Sequence, residues 1–253
     1  MLSEDLYQLK NFYMENPEAA LCFSGGVKSS YLLYMGLHYG ARIKAYFVKT
    51  AFQQKHELED AIRFAEKYDV DLSILDNDIL SVGKVMKNTA NRCYFCKTEL
   101  ISTIKEQAAK DGYEVLIDGT CINDRAECSS RKALSQYSVR SPLYECKISK
   151  TKIRMLSRKA GLFTWNKQAV NCLATQIPPG TRISAEDLKV IERAERELLE
   201  IGFTDFKVGI IGRTAKLQFS VSQMEAALEK REMIIGRLKP DFDSFFLDLE
   251  GRS

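Results

Sequence analysis

Along the first two thirds of the chain, short apolar runs alternate with amphipathic stretches. The runs at residues 19–23, 43–48, 71–75 and 114–118 have the length of buried strands. Between them, residues 29–39, 57–68 and 97–110 carry apolar positions at helical spacing. Strand and helix in succession predict a parallel sheet with right-handed helical crossovers. A further helix is expected at 151–160, closed by Gly161, and the turn-rich segment 171–180 follows it. From Ser184 the pattern changes to a charged helix at 185–201, strands at 206–211 and 215–219, a helix at 221–230 and a strand at 244–247. The expectation is a doubly wound α/β domain over residues 1–178 and a smaller α+β domain over 179–253.

The 253 residues include 37 Lys+Arg against 34 Asp+Glu, a net charge of +3, and 45% are hydrophobic. That supports a buried core and excludes an intrinsically disordered chain. A charge so near balance gives no general affinity for a nucleic-acid backbone, so no nucleic-acid partner is expected. No apolar run approaches the roughly 20 residues of a membrane helix. The first residues lack a secretory pattern, and the expectation is a cytoplasmic protein without a membrane partner. Seven cysteines, an odd number, argue against a disulfide framework and leave a metal, a cluster or reactive thiols.

The first candidate site is Ser24-Gly25-Gly26-Val27-Lys28-Ser29-Ser30, between the first strand and its helix. Glycine admits backbone that a β-carbon blocks, so amides can converge on an anion at the helix N-terminus. Ser24, Ser29 and Ser30 add hydroxyls, and Lys28 adds positive charge. The plain alternative is a Gly-Gly turn with a serine cap. Position favours the phosphate cradle, because ligands of doubly wound folds sit at the carboxyl ends of strands. Gly119, Thr120 and Asp124 follow the fourth strand, where Asp118 and Asp124 are suited to position substrate or magnesium. Arg125, Arg131 and Arg140 are candidate phosphate contacts, whereas Lys152, Arg154 and Arg158 are placed on the exposed side of their helix.

A second motif, Cys93-Tyr94-Phe95-Cys96, stands at a helix start beside Arg92 and Lys97. Two thiolates at this spacing suit a metal ion, two corners of an iron–sulfur cluster or a redox pair. The spacing alone leaves these open, as well as two ordinary cysteines. No second C-x-x-C completes a zinc ribbon.

The glycine loop resembles the S-G-G-x-D-S loop of the PP-loop ATP pyrophosphatases, also called adenine nucleotide alpha hydrolase-like, with Lys28 where that superfamily usually has Asp. The segments N-R-C-Y-F-C-K, D-G-T-C-I-N-D, V-R-S-P-L, G-L-F-T-W-N-K and N-C-L-A-T-Q-I-P-P-G-T are similar in order and spacing to the ATP-dependent sulfur transferases of the LarE type, which serve nickel-pincer nucleotide synthesis. The resemblance implies ATP and Mg2+, adenylation of a small-molecule acceptor, a sulfide donor and a homo-oligomer. It also implies a [4Fe-4S] cluster on Cys93, Cys96 and Cys172. Cys172, Asp124 and Lys28 would be catalytic, with Ser24, Gly25, Gly26, Ser29, Ser30, Gly119, Thr120 and Lys150 contacting the nucleotide. The rivals are a tRNA-thiolating PP-loop enzyme and a sulfur or cluster carrier without ATP turnover. Lys207-Val208-Gly209 and Gln218 depart from the arginine pair and carboxylate of the LarE type, which leaves the acceptor open.

Overall fold

Side chains two apart on a strand share a face, and here each face has its own core. Ala19, Leu21, Ile43, Ala45 and Phe47 enter one with Phe12, Leu32, Phe64 and Ile153, while Ala20, Tyr46 and Val48 enter another with Ile101, Ile104 and Leu134. A sheet covered on both faces explains why its strands read as apolar runs rather than alternating ones. The structure is a computed structural model that describes residues 3–124, 128–168 and 171–251.

In chain order the first elements are α1 (Glu4–Glu15), β1 (Glu18–Cys22), α2 (Val27–His38), β2 (Arg42–Lys49), α3 (Lys55–Tyr68), β3 (Leu72–Asp76) and α4 (Gly83–Met86). Then come α5 (Arg92–Lys110), β4 (Leu116–Asp118), α6 (Cys128–Gln136), α7 (Pro142–Glu145) and α8 (Lys150–Lys159). The last are α9 (Ala185–Ile201), β5 (Phe206–Ile211), β6 (Thr214–Phe219), α10 (Val221–Glu229), α11 (Arg231–Leu238) and β7 (Ser244–Leu247). Strands β1 to β4 form the expected doubly wound parallel sheet, in the order β3-β2-β1-β4. A smaller mixed sheet pairs β5 antiparallel and β7 parallel to β6. The order of the first sheet reverses at β1, so the carboxyl ends of β1 and β4 flank the switch point where ligands of such folds bind. Among the described residues no helix is long and apolar enough to cross a membrane.

Two compact units divide the chain, Met1–Ile79 with Cys93–Val170 and Leu80–Arg92 with Asn171–Ser253. The border lies before residue 171 rather than after 178, and an internal segment joins the second unit. Hydrogen bonds to Asn88 and Met86 account for both differences. Ile183 N donates to Met86 O at 2.9 Å and Gly180 N to Asn88 O at 2.8 Å. The Asn88 amide donates to Ile177 O and Pro178 O, and its oxygen accepts from Arg92, which also reaches Ala174 O at 2.7 Å. Asn88 sits at φ 51°, a left-handed conformation that asparagine tolerates better than most residues.

Replacing the buried Asn88 by alanine removes three side-chain hydrogen bonds, those to Ile177 O and Pro178 O and the one from Arg92. Asn88→Ala is expected to cost about 1–3 kcal/mol, read as a lowered denaturation midpoint; an unchanged midpoint would show that the anchor is dispensable.

Candidate functional site

Strand β1 ends in a loop that turns at Gly25, whose φ of +63° lies in the left-handed region. A β-carbon on Gly25 would also meet the backbone of Ala61 at 3.1 Å. Gly26 is the N-cap of α2, and the helix has no acidic residue in its first turn. Its first amides lack intrahelical acceptors and carry the positive end of the helix dipole. The hydroxyls of Ser24 and Ser29 are 3.0 Å apart, and Ser29 Oγ accepts from Ser24 N. Gly119, after β4, runs so close to α2 that a β-carbon there would lie 2.9 Å from Ser29 N.

Together these loops border a cavity of about 430 Å³. Ser24, Gly26, Lys28, Ser29, Gly119, Thr120, Asp124 and Lys150, all singled out in the sequence, line it. Gly25 shapes the loop without lining the cavity, and Lys167 donates to its carbonyl at 3.2 Å. Ser30 is fully buried and does not line it either, so its hydroxyl packs inside rather than facing a ligand.

Five cations, Lys28, Lys97, Lys150, Arg154 and Lys167, line the cavity against three carboxylates, Glu57, Asp118 and Asp124, a balance that favours an anionic ligand. Sequence reasoning missed Glu57, Arg154 and Lys167 here. The expected exposed position of Arg154 is corrected, because its guanidinium donates to Trp165 O and Lys167 O and so turns inward. Lys167 pairs with Asp60 at 2.6 Å. Cys22 also lines the cavity, and burial pushes its thiol up to about 12, so it stays protonated at neutral pH. Arg125 lies outside the described residues, and Arg140 is held by Glu145.

Each carboxylate is already engaged, which tests the expected magnesium ion. Asp118 accepts from Thr120 N, Thr120 Oγ and Ser141 Oγ at 3.1, 2.6 and 2.6 Å. Lys28 donates to both oxygens of Asp124, which also accepts from Cys121 N at 2.8 Å. Glu57 closes the capping box of α3, and burial raises its carboxyl above the ordinary range, with the bond from Gln54 N opposing that rise. A divalent cation at Asp124 would have to displace an ammonium group, Asp118 already accepts three hydrogen bonds, and among the described residues no three His, Cys, Asp or Glu gather as a metal-binding group, so the residues present do not fit a protein-held magnesium ion.

Cys93 and Cys96 lie half-buried in the first turn of α5, and Cys172 is exposed in the second unit, just before a 3-10 turn at Leu173–Gln176. At i and i+3 the first two share a helix face, with β-carbons about 5–6 Å apart, a spacing that suits two corners of a cluster. Cys93 and Lys97, at i and i+4, share a face as well. Among the described residues no three His, Cys, Asp or Glu side chains gather as a metal-binding group. Gln218 donates to Asp248 at 2.7 Å and Lys207 to Thr175 O at 3.2 Å, so both departures from the LarE type serve local structure.

Burial pushes the Asp124 carboxyl up, but the Lys28 and Cys121 hydrogen bonds outweigh it and hold the carboxyl below its ordinary value. A lowered folded-state value contributes stability that is present above the unfolded value, about pH 4, and lost as pH falls through the folded value. Thermal midpoints of wild type and Asp124→Asn should therefore differ at neutral pH and converge below about pH 4. A constant difference would place the effect elsewhere.

No protein-family model matches the chain. The chain is 31% identical to the uncharacterized protein slr1717 of Synechocystis sp. over 258 residues, covering 99% of this chain and 96% of that protein. It is 31% identical to the uncharacterized protein MJ0830 of Methanocaldococcus jannaschii over 197 residues, 76% of this chain and 75% of that one. It is 27% identical over 235 residues to a pyridinium-3,5-bisthiocarboxylic acid mononucleotide synthase of Lactiplantibacillus plantarum, covering 91% of this chain and 85% of the synthase. With its glycine loop at the switch point of a doubly wound sheet, the chain belongs to one family with slr1717 and MJ0830, within the PP-loop superfamily of ATP-utilising enzymes.

Proposed function

We propose that the chain is an ATP-dependent sulfur transferase acting on a small-molecule acceptor. The cationic cavity at the switch point carries this reading, and the similarity to a synthase of a bisthiocarboxylic acid mononucleotide supports it. The first amides of α2, the Ser24 and Ser29 hydroxyls and Lys28 bind the phosphate chain of ATP. An acceptor carboxylate attacks the α-phosphorus, the bond to the bridging oxygen breaks, and pyrophosphate leaves. Lys97, Lys150 and Lys167 line the same cavity and would stabilise the charge that builds on the departing oxygens, as fixed donors do without reorganisation. The resemblance assigns Cys93, Cys96 and Cys172 to a [4Fe-4S] cluster, which would supply sulfide to displace AMP from the adenylate. Arg92 and Lys97 stand next to the first two thiols in the sequence.

The reading is tested by anaerobic purification with iron and labile-sulfide assays on wild type and on Cys93→Ala, Cys96→Ala and Cys172→Ala. Iron and sulfide in wild type and their loss in each variant are expected, with AMP and pyrophosphate released only when an acceptor is present. Full iron occupancy in all three variants would overturn the ligand assignment. Nucleotide binding without AMP release from any acceptor would favour a carrier, and copurifying tRNA would favour a tRNA-thiolating enzyme.

A further inference from the structure

The pairing of Lys28 with Asp124 joins the first turn of α2 to the loop after β4, and both residues line the cavity. An ammonium group has three donors. Two are spent on the Asp124 oxygens, and among the described residues no other acceptor takes the third, which leaves it for a ligand beside the first amides of α2. Cys121 N and Lys28 fix Asp124 from two sides, so the carboxylate acts as a bracket for the lysine. Asp118 and Glu57 are committed to Thr120, Ser141 and Gln54. Positive charge at this site is thus supplied by side chains and by the helix end, and each cavity carboxylate has a local task.

From this geometry we infer that the site binds the phosphate chain of its nucleotide without a protein-held divalent cation. Lys28 takes the place of the metal, and Asp124 is the positioning residue that aims it. The inference rests on the nucleotide reading of the cavity and adds how that cavity neutralises its ligand. Phosphates carried by a lysine and helix amides lose little when magnesium is removed, because their counter-charge belongs to the protein.

Titration calorimetry with the α,β-methylene analogue of ATP, which separates binding from turnover, provides the test. In wild type the affinity in EDTA should equal that in magnesium within about threefold, ~0.65 kcal/mol. A larger gain from magnesium overturns the inference while leaving nucleotide binding intact. No binding under either condition overturns the nucleotide reading itself.

The variant Lys28→Asp reverses the logic, since two carboxylates then face the phosphates and need a cation between them. Its binding should be lost in EDTA and recovered about tenfold or more by magnesium. Equal binding by this variant in both conditions would refute the role assigned to Lys28. Should the variant fail to fold, the comparison in wild type decides alone. Asp124→Asn should weaken binding in EDTA and in magnesium alike, because it loosens Lys28 without creating a new cation site. Unchanged binding by Asp124→Asn would remove its positioning role.

Discussion

The candidate site depends on a close approach of two backbones. The turn after β4 runs against the first turn of α2 with no room for a β-carbon at Gly119, and Gly25 is hemmed in by the backbone of Ala61. Glycine is the residue that permits such contact. Because β4 and β1 are neighbours and the strand order reverses between them, both turns arrive at one place. The polar groups then follow: Ser29 faces Ser24, and Lys28 reaches Asp124 although 96 residues separate them in sequence.

That arrangement separates shape from charge. Backbone crowding shapes the cavity, while the surrounding side chains set its charge. A cationic lining with internally satisfied carboxylates differs in kind from a metal-binding lining, even on the same fold.

Much of the fold was legible because both faces of the first sheet are buried, and buried strands leave apolar runs. The second unit's β5, α9 and β7 lie where the pattern put them. By contrast α1, α6 and α11 were missed: α1 buries only Leu9, Phe12 and Tyr13 in twelve residues, a faint periodicity. The glycine loop and the residues after β4 stood out through their positions at strand ends. Arg154 and Lys167 did not, since turning a helix-face cation inward depends on the Trp165 and Lys167 carbonyls, which no spacing rule encodes. Ser30, expected among the nucleotide contacts, is buried and does not line the cavity for a related reason. The helix turns it about 100° from Ser29, away from the cavity and into the core. The role of Asn88 was equally hidden, because its carbonyl partners are set by tertiary folding.

The Asn88 anchor has a temporal side. Its carbonyl partners at Ile177 and Pro178 come 89 and 90 residues later in the chain. At a synthesis rate of roughly 5–20 residues per second, that lag is about 5–20 s. During that interval an emerging chain has strands β1 to β3 available to pair, while residues 80–92 wait as an open connection. The second unit therefore cannot close around Asn88 before residues 177 and 178 have been made.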